Sequence, residues 1–164
     1  MKPTRLIALL LAAALLPASI FAASVLAAEE PNRAEYVAQL EQICKPRSEA
    51  TARVVRGVRA DVRAERLAAA ATKFAKAKRI FGATVDAIST VPRPATDRAT
   101  LKRWFGALGR EELYLGQMVK VLRQDSVAGF QRVSAKFIQE GNRANNAVVS
   151  FGFNYCSFKP TRFQ

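Results

Sequence analysis

Apolar side chains recur every three or four residues along most of the chain, which is the spacing of one face of an α-helix. Between residues 67 and 91 they fall into two parallel rows, one bulky and one mostly small. The bulky row is Leu67, Phe74, Phe81 and Ile88, and the other is Ala70, Ala77, Thr84 and Val91. Such a pair of rows is typical of a helix that packs closely against a neighbour. No segment alternates with period two for long enough to predict a strand.

Three further stripes predict three more helices. The first stripe contains Tyr36, Leu40, Ile43, Ala50, Val54 and Val58. The third helix carries Leu101, Trp104, Phe105, Leu108, Leu115, Met118, Val119 and Leu122. The fourth carries Phe130, Val133, Phe137, Ile138, Gly141, Ala144, Val148 and Phe151. The chain is therefore predicted to be all-α, with one amphipathic helix for each stripe.

Helix-breaking signals separate these stripes. The segment "VPRPATD" ends the second helix and offers Thr96 or Asp97 as a cap for the third. In "RQDS", Asp125 or Ser126 can cap the fourth. A turn near residues 59–63 is predicted because an unbroken helix over residues 47–91 would be about 65 Å long. The predicted helices span residues 34–58, 64–91, 97–123 and 127–152.

The only two cysteines, Cys44 and Cys156, lie near the start of the first predicted helix and just past the end of the fourth. In an up-down-up-down four-helix bundle these two places share one pole, so the cysteines can meet in a disulfide. A thiol nucleophile or a metal pair is the alternative. It is disfavoured because the chain has no Cys-x-x-Cys motif and no histidine.

The cysteine near the C-terminus lies in the aromatic segment "VVSFGFNYCSF". We predict that Phe151, Phe153, Tyr155 and Phe158 fill the core at the disulfide pole. The alternative is an exposed aromatic patch for a lipid or a ligand.

The first 28 residues have the composition of a secretory signal peptide. Two basic residues precede an apolar run, and small residues lead to a cleavage site near Ala27 or Ala28. Residues 29–164 would then form a single helical-bundle domain that is secreted or extracytoplasmic. The alternative is an uncleaved membrane anchor, since the apolar run is just long enough to span a bilayer. Pro17 and the clustered small residues favour cleavage.

Positive charge dominates the chain, which has a formal net charge of +13. Residues 45–79 hold eleven basic and only three acidic side chains. In the bundle, many of them would surround the first hairpin turn, opposite the disulfide. The candidate anion-binding residues there are Arg53, Arg56, Arg59, Arg63 and Arg66. They predict docking on an anionic cell-wall polymer or on lipid headgroups. The alternative is a solvated arginine-rich face that reflects GC-rich codon use. Nucleic acid is not expected, because no aromatic residues are interleaved for base stacking.

The absence of histidine from the sequence removes several classes of active site. It excludes Ser-His-Asp and Cys-His nucleophile systems, Glu-x-x-His di-metal sites and histidine-ligated haem. A Gly-rich phosphate-binding loop after a strand is also missing. We therefore expect no catalytic residue, metal or cofactor. A hydrolase that uses a carboxylate pair is the remaining enzymatic alternative.

The stripe of the third helix contains two adjacent acids. Between Leu108 and Leu115 the apolar register passes through Glu111 and Glu112, so one of them should face the interior or its margin. Asn145 lies on the corresponding face of the fourth helix. These three residues are candidates for a ligand pocket between helices. The alternative is a glutamate that reaches the rim and pairs with an arginine.

Three short motifs give the chain a family likeness: "YVAQLEQIC" (Tyr36 to Cys44), "VPRP" (Val91 to Pro94) and "FGFNYC" (Phe151 to Cys156). Together with the leader, they resemble a loose class of uncharacterised secreted bacterial helical-bundle proteins. The resemblance implies a fold and no activity. The sequence thus favours a non-enzymatic binding or scaffold module of the cell envelope. A small-ligand carrier or sensor that binds near Glu111 or Glu112 is the alternative.

Overall fold

The computed structural model describes residues 30–157 and 159. Within this part the chain is helical and contains no strand, which confirms the all-α class with four long helices. The helices are α1 (Arg33–Val55), α2 (Val58–Arg63), α3 (Leu67–Ser89), α4 (Arg98–Arg123) and α5 (Val127–Ala147), with 3₁₀ turns at Ala95–Asp97 and Val149–Phe151. The predicted signal peptide, residues 1–28, lies outside the described residues.

The boundary between the first two predicted helices is wrong. Helix α1 ends at Val55, and the predicted turn at 59–63 is instead the short helix α2. The chain turns on either side of α2, at Gly57 with φ 73° and at Glu65 with φ 53°. Glycine adopts this left-handed conformation without the Cβ clash that other residues meet, so the first turn forms where the glycine lies.

The end of the fourth predicted helix is also wrong. Helix α5 stops at Ala147, and a 3₁₀ turn follows as far as Phe151. Gly152 then takes φ 67° and redirects the chain toward the disulfide. A single helix to residue 152 would have carried the aromatic segment past the bundle instead of across its end.

Three helix starts show how local sequence sets the elements. At α1, the Asn32 side chain accepts from the Glu35 N–H while the Glu35 carboxylate accepts from the Asn32 N–H, each at 3.0 Å. This reciprocal capping box satisfies two otherwise unpaired N–H groups. Ser126 caps α5 through the Gly129 N–H, as predicted. Asp97 precedes α4 but does not cap it, because its carboxylate accepts hydrogen bonds from Arg33.

A buried carboxylate joins α1, α2 and α3. Asp61 accepts from Arg66 at 2.7 Å and from Lys73 at 2.6 Å. Lys73 also donates to the Arg56 carbonyl, at the end of α1. Hydrogen bonds from Lys73 and Arg66 hold the pKa of Asp61 below its ordinary value. These contacts fix the two turns around α2.

The interior consists of two apolar clusters. The Trp104 core includes Tyr36, Leu40, Cys44, Ile88, Leu101, Trp104, Leu108, Ala144, Val148, Phe151 and Phe153. The Phe74 core includes Val55, Val58, Leu67, Ala70, Phe74, Ala77, Leu115, Met118, Leu122 and Phe137. Phe81 contacts both clusters. Helix α4 packs against α3 and α5, and α1 packs against α3.

The disulfide and the aromatic segment close the Trp104 core. Cys44 and Cys156 are bonded, with their Cα atoms 5.2 Å apart. Phe153 is buried and stacks on Trp104, with ring centroids 5.3 Å apart. Phe151 is buried beside it and meets Tyr36 edge to face. The disulfide and the core role of Phe151 and Phe153 are confirmed. Tyr155 is only partly buried against this core, and Phe158 lies outside the described residues.

Candidate ligand site between the two cores

The apolar stripes of three helices are interrupted at the junction of the two cores. On α1, Arg47, Ser48 and Thr51 follow Cys44 at helical spacing before the stripe resumes at Val55. Thr84 interrupts α3, and Glu111 interrupts α4 between Leu108 and Leu115. These five polar residues all line one cavity. A break that falls at the same level on three helices is how a bundle forms an interior site.

The cavity has a volume of about 100 Å³ and lies between the Trp104 core and the Phe74 core. Its inner wall comes from α3, α4 and α5 and is mainly apolar. That wall consists of Ala77, Phe81, Val85, Ile88, Trp104, Leu108, Leu115, Phe137 and Ala144. For comparison, an apolar cavity of about 150 Å³ can hold benzene. The space is therefore smaller than one that holds benzene, and it suits the end of a short apolar chain.

Glu111 is the acidic residue in this wall. Its side chain is 1% exposed, and its Oε1 atom has no hydrogen-bond partner among the described residues. Burial raises the pKa of Glu111 to about 8, and the nearby negative charge of Glu140 adds to the effect. The group is thus mostly a neutral carboxylic acid at pH 7, able both to donate and to accept a hydrogen bond.

Glu140, the buried acid whose charge acts on Glu111, is compensated. Its two carboxylate oxygens accept from Arg110 and from Arg143, each at 2.8 Å. Both arginines extend toward solvent, while the carboxylate itself is buried. Glu140 therefore has its partners within the protein, whereas Oε1 of Glu111 is free to meet a ligand or a water molecule.

Of the three residues predicted for the pocket, only Glu111 lines the cavity. Glu112 points away from the cavity and accepts from Lys78 of α3 at 3.0 Å, so it forms a rim ion pair like that of the alternative, but with a lysine instead of the expected arginine. Gly82 allows this approach, because a Cβ there would lie 3.1 Å from the Glu112 carboxylate. Asn145 is half-buried on α5 and is not among the described residues that line the cavity, whereas its neighbour Ala144 is.

The rim of the cavity is polar and comes from two segments. Helix α1 contributes Arg47, Ser48 and Thr51, all partly exposed. The chain after α5 contributes Tyr155, the disulfide, Ser157 and the exposed Lys159. The two rim cations stand in contrast to the apolar inner wall, so the cavity is amphipathic from mouth to base.

Glu41 holds the second rim segment in place. Its Oε1 atom accepts from the backbone N–H groups of Asn154 and Tyr155 at 3.0 Å and of Cys156 at 3.2 Å. Charge-assisted bonds to three successive N–H groups are strong anchors for a segment without regular structure. Together with the disulfide, they attach residues 154–157 to α1 beside the cavity. We call this segment the strap.

The five candidate anion-binding arginines lie at the end of α1, on α2 and beside the start of α3. All five side chains are exposed. Arg66 is committed to Asp61. The other four, which form no ion pair among the described residues, are Arg53, Arg56, Arg59 and Arg63.

Comparison with protein families, curated proteins and solved structures found no match to this chain. The likeness to secreted bacterial helical bundles thus stays a prediction from the sequence. Among the described residues, no helix has the length and apolar character needed to cross a membrane. In the same part of the chain, no group of three His, Cys, Asp or Glu side chains could hold a metal ion.

Sequence reasoning did not find the rim residues of α1. The predicted stripe continued through Ala50 and Val54, whereas Val55 is the fully buried residue. Counting from Cys44 in steps of three and four gives Arg47, Ser48 and Thr51 instead. This helical register would have identified the rim residues of α1. The contribution of Glu41 was also missed, since nothing local to it predicts a contact with a segment more than one hundred residues away.

Proposed function

We propose that this protein binds a small, largely apolar molecule between its helices and serves as a non-enzymatic carrier or sensor. One observation carries the proposal: an unpaired, buried acid lines a cavity at the junction of two cores. A buried carboxyl without a partner costs about 1–3 kcal/mol or more, and a bound ligand would offset that cost. A polar atom of a ligand, or a water molecule bound together with the ligand, would satisfy the carboxyl.

The only tryptophan of the chain, Trp104, lines the cavity and can report its occupancy. We expect hexan-1-ol to change Trp104 fluorescence saturably in the oxidised protein, with the binding heat measured in parallel by calorimetry. Ala144→Leu fills the cavity wall and should abolish both signals. Ala135→Leu, at an exposed position of the same helix, is the matched control and should leave them unchanged.

A folding defect would complicate the Ala144 result, so a second variant is needed. Thr84→Ile adds volume from α3 at a half-buried position and should also weaken binding, with the helical circular dichroism retained. If the folded wild type gives no hexan-1-ol binding signal that the two variants remove, the cavity holds only water and the carrier proposal is wrong.

The second candidate function is docking through the basic pole, which we define as Arg53, Arg56, Arg59 and Arg63. It is favoured by the exposure of these four side chains and by their lack of ion pairs in the described part of the chain. An anionic cell-wall polymer or anionic lipid headgroups would neutralise them. Positive charges this close in sequence repel one another, and the binding of an anionic partner would relieve that repulsion.

Retention on anionic liposomes and on an acidic polymer resin tests the docking proposal in two separate arms. Changing the four pole arginines to glutamine should strongly reduce retention on the liposomes if lipid headgroups are the natural partner, and on the resin if the cell-wall polymer is. The control changes four other exposed basic residues and removes the same charge: Lys102, Arg103, Arg132 and Lys136. Equal loss in both variants would show that net charge, and not the pole, is responsible.

The topology of the helices and the removal of the N-terminal leader are also proposals. We propose an up-down-up-down bundle, supported by a contact between the starts of α1 and α4 (Arg33 with Asp97) and by another between the end of α1 and the start of α3 (Arg56 with Lys73). We also propose that residues 1–28 are removed during secretion. N-terminal sequencing of the exported protein should then begin just after Ala27 or Ala28.

A further inference from the structure

The charged groups around the cavity are separated by depth. The buried wall holds Glu111, while the rim holds two cations, Arg47 on α1 and Lys159 beyond the strap. No carboxylate other than Glu111 is among the described residues that line the cavity. A ligand that enters between the rim cations therefore meets positive charge first and apolar side chains next.

Arg47 is available for a ligand. It forms no ion pair with any residue in the described part of the chain, although it is only partly exposed and lines the cavity mouth. The hydroxyls of Ser48 and Thr51 lie on the same face of α1. A guanidinium presents its N–H donors as a planar fork that matches a carboxylate, and neighbouring hydroxyls can supply further donors.

The inner wall limits the size of the apolar part of a ligand. Since a cavity of about 150 Å³ holds the six carbon atoms of benzene, a volume of about 100 Å³ admits about four carbon atoms, and the remaining carbons of a longer chain would lie at the rim. Trp104 and Leu108 of α4 and Phe137 of α5 line the space and would contact such a body. An amine is disfavoured, because it would have to pass the two rim cations of a protein that is already strongly positive.

Glu111 does not repel an anionic ligand held at the rim. The group is mainly protonated at neutral pH because it is buried and close to Glu140. It can therefore hydrogen-bond a polar atom at the far end of a ligand, or a water molecule beside an unsubstituted chain.

We infer that the cavity takes a short amphipathic carboxylate, whose head binds Arg47 at the rim and whose apolar body lies among Trp104, Leu108 and Phe137. This inference rests on the proposed carrier function and adds the chemical class of the ligand.

Three probes of equal chain length test the class: hexanoate, hexan-1-ol and hexylamine, each titrated at pH 7 into the oxidised protein with Trp104 fluorescence and calorimetry as readouts. Charge-assisted hydrogen bonds contribute about 1.5–3 kcal/mol, so hexanoate should bind about 10- to 100-fold more tightly than hexan-1-ol. Hexylamine should bind most weakly.

Substitution of Arg47 separates a specific contact from general attraction. Arg47→Gln should remove most of the advantage of hexanoate over hexan-1-ol, measured as the ratio of the two dissociation constants within the variant, whereas Arg47→Lys should restore part of that advantage. Arg132→Gln, an exposed arginine on α5 outside the cavity lining, removes the same charge and should keep the full advantage.

Each other outcome refutes a defined part of the inference. Equal affinity for hexanoate and hexan-1-ol would leave the carrier function standing and refute the carboxylate class. Equal effects of Arg47→Gln and Arg132→Gln would refute the contact with Arg47. Binding of none of the three probes would refute the carrier function together with the inference that rests on it.

Discussion

Glu111 places a carboxyl group in the otherwise mainly apolar inner wall of the cavity. Leucine or methionine at this position would join the two cores into one and would suit the register of α4. Replacing buried charged groups by well-packed apolar residues of similar volume commonly leaves the stability of a protein unchanged or raises it. Glu111 is therefore a position where the molecule carries a stability cost that the proposed binding role would explain.

The pKa of Glu111 links that cost to pH. The unfolded chain loses the proton near the ordinary value of 4.5, whereas the folded protein keeps it until about pH 8. Between these values the unfolded state binds fewer protons, so the free energy of unfolding falls as pH rises and levels off above about 8. The charged groups around this carboxyl are Glu140 with Arg110 and Arg143, and the rim cations Arg47 and Lys159.

Glu111→Gln should remove this dependence. Relative to the wild type, the variant should gain stability between pH 5 and pH 8.5 by an amount on the order of 4 kcal/mol, taken as an upper limit. Urea denaturation at the two pH values measures the difference. Glu112→Gln is the matched control and should change stability by less than about 1 kcal/mol at either pH, because its ion pair is partly exposed. Parallel pH profiles of the wild type and the Glu111→Gln protein would show that Glu111 does not keep its proton on folding.

At this scale the sequence predicted part of the site. The register of α4 required an inward-facing acid at position 111 or 112, and burial distinguishes the two. Asn145 was predicted from the same kind of register, but α5 turns it away from the cavity wall that Ala144 forms. A shift of one residue on a helix rotates a side chain by about 100°, which local spacing alone does not resolve.

At the scale of the elements, strong breakers were predictable and weak ones were not. The proline-rich break before α4 lies where the sequence puts it, and Ser126 caps α5. The region around α2 offers no proline, and its course depends on contacts of Asp61 with Arg66 and Lys73. Such pairings arise from tertiary structure, so the pattern of apolar residues could not reveal them.

Gly57 is the local residue that decides the turn after α1. Gly57→Ala forces a side chain into a left-handed conformation, with an expected loss of about 1–2 kcal/mol in the free energy of unfolding. Gly109→Ala is the control, since Gly109 is exposed inside α4 and a Cβ there would meet nothing within 4 Å. Gly109→Ala should stabilise the protein by about 0.5–1 kcal/mol. Thermal or urea denaturation measures both, and a neutral Gly57→Ala would show that the turn does not depend on glycine.

At the scale of the whole molecule, the segment after α5 completes the core that the helices begin. The Trp104 core is closed by residues of this segment, and the strap within it also forms part of the cavity rim. The sequence predicted the closure from the positions of two cysteines. It could not predict the cavity, because the space results from three polar breaks that meet only when the helices pack.

The disulfide should therefore contribute to both stability and binding. Cys44 and Cys156 are 112 positions apart, and closing a loop of this length in the unfolded chain corresponds to about 4–5 kcal/mol. Changing both cysteines to alanine should lower the free energy of unfolding by about that amount, as measured in urea. The reduced wild type is the matched control and should behave like the variant.

Binding should weaken in the same variant, but not vanish. Without the disulfide, the three hydrogen bonds from strap N–H groups to Glu41 still hold residues 154–156 near α1. Adding Glu41→Gln to the double cysteine variant removes the negative charge from this anchor and should reduce hexan-1-ol affinity further. The strap should then be held less firmly at the cavity rim, since the neutral amide oxygen of glutamine accepts from the three N–H groups more weakly than a carboxylate. Unchanged probe affinity in the triple variant, with its helices intact, would mean that the inner wall alone forms the site and that the strap only stabilises the fold.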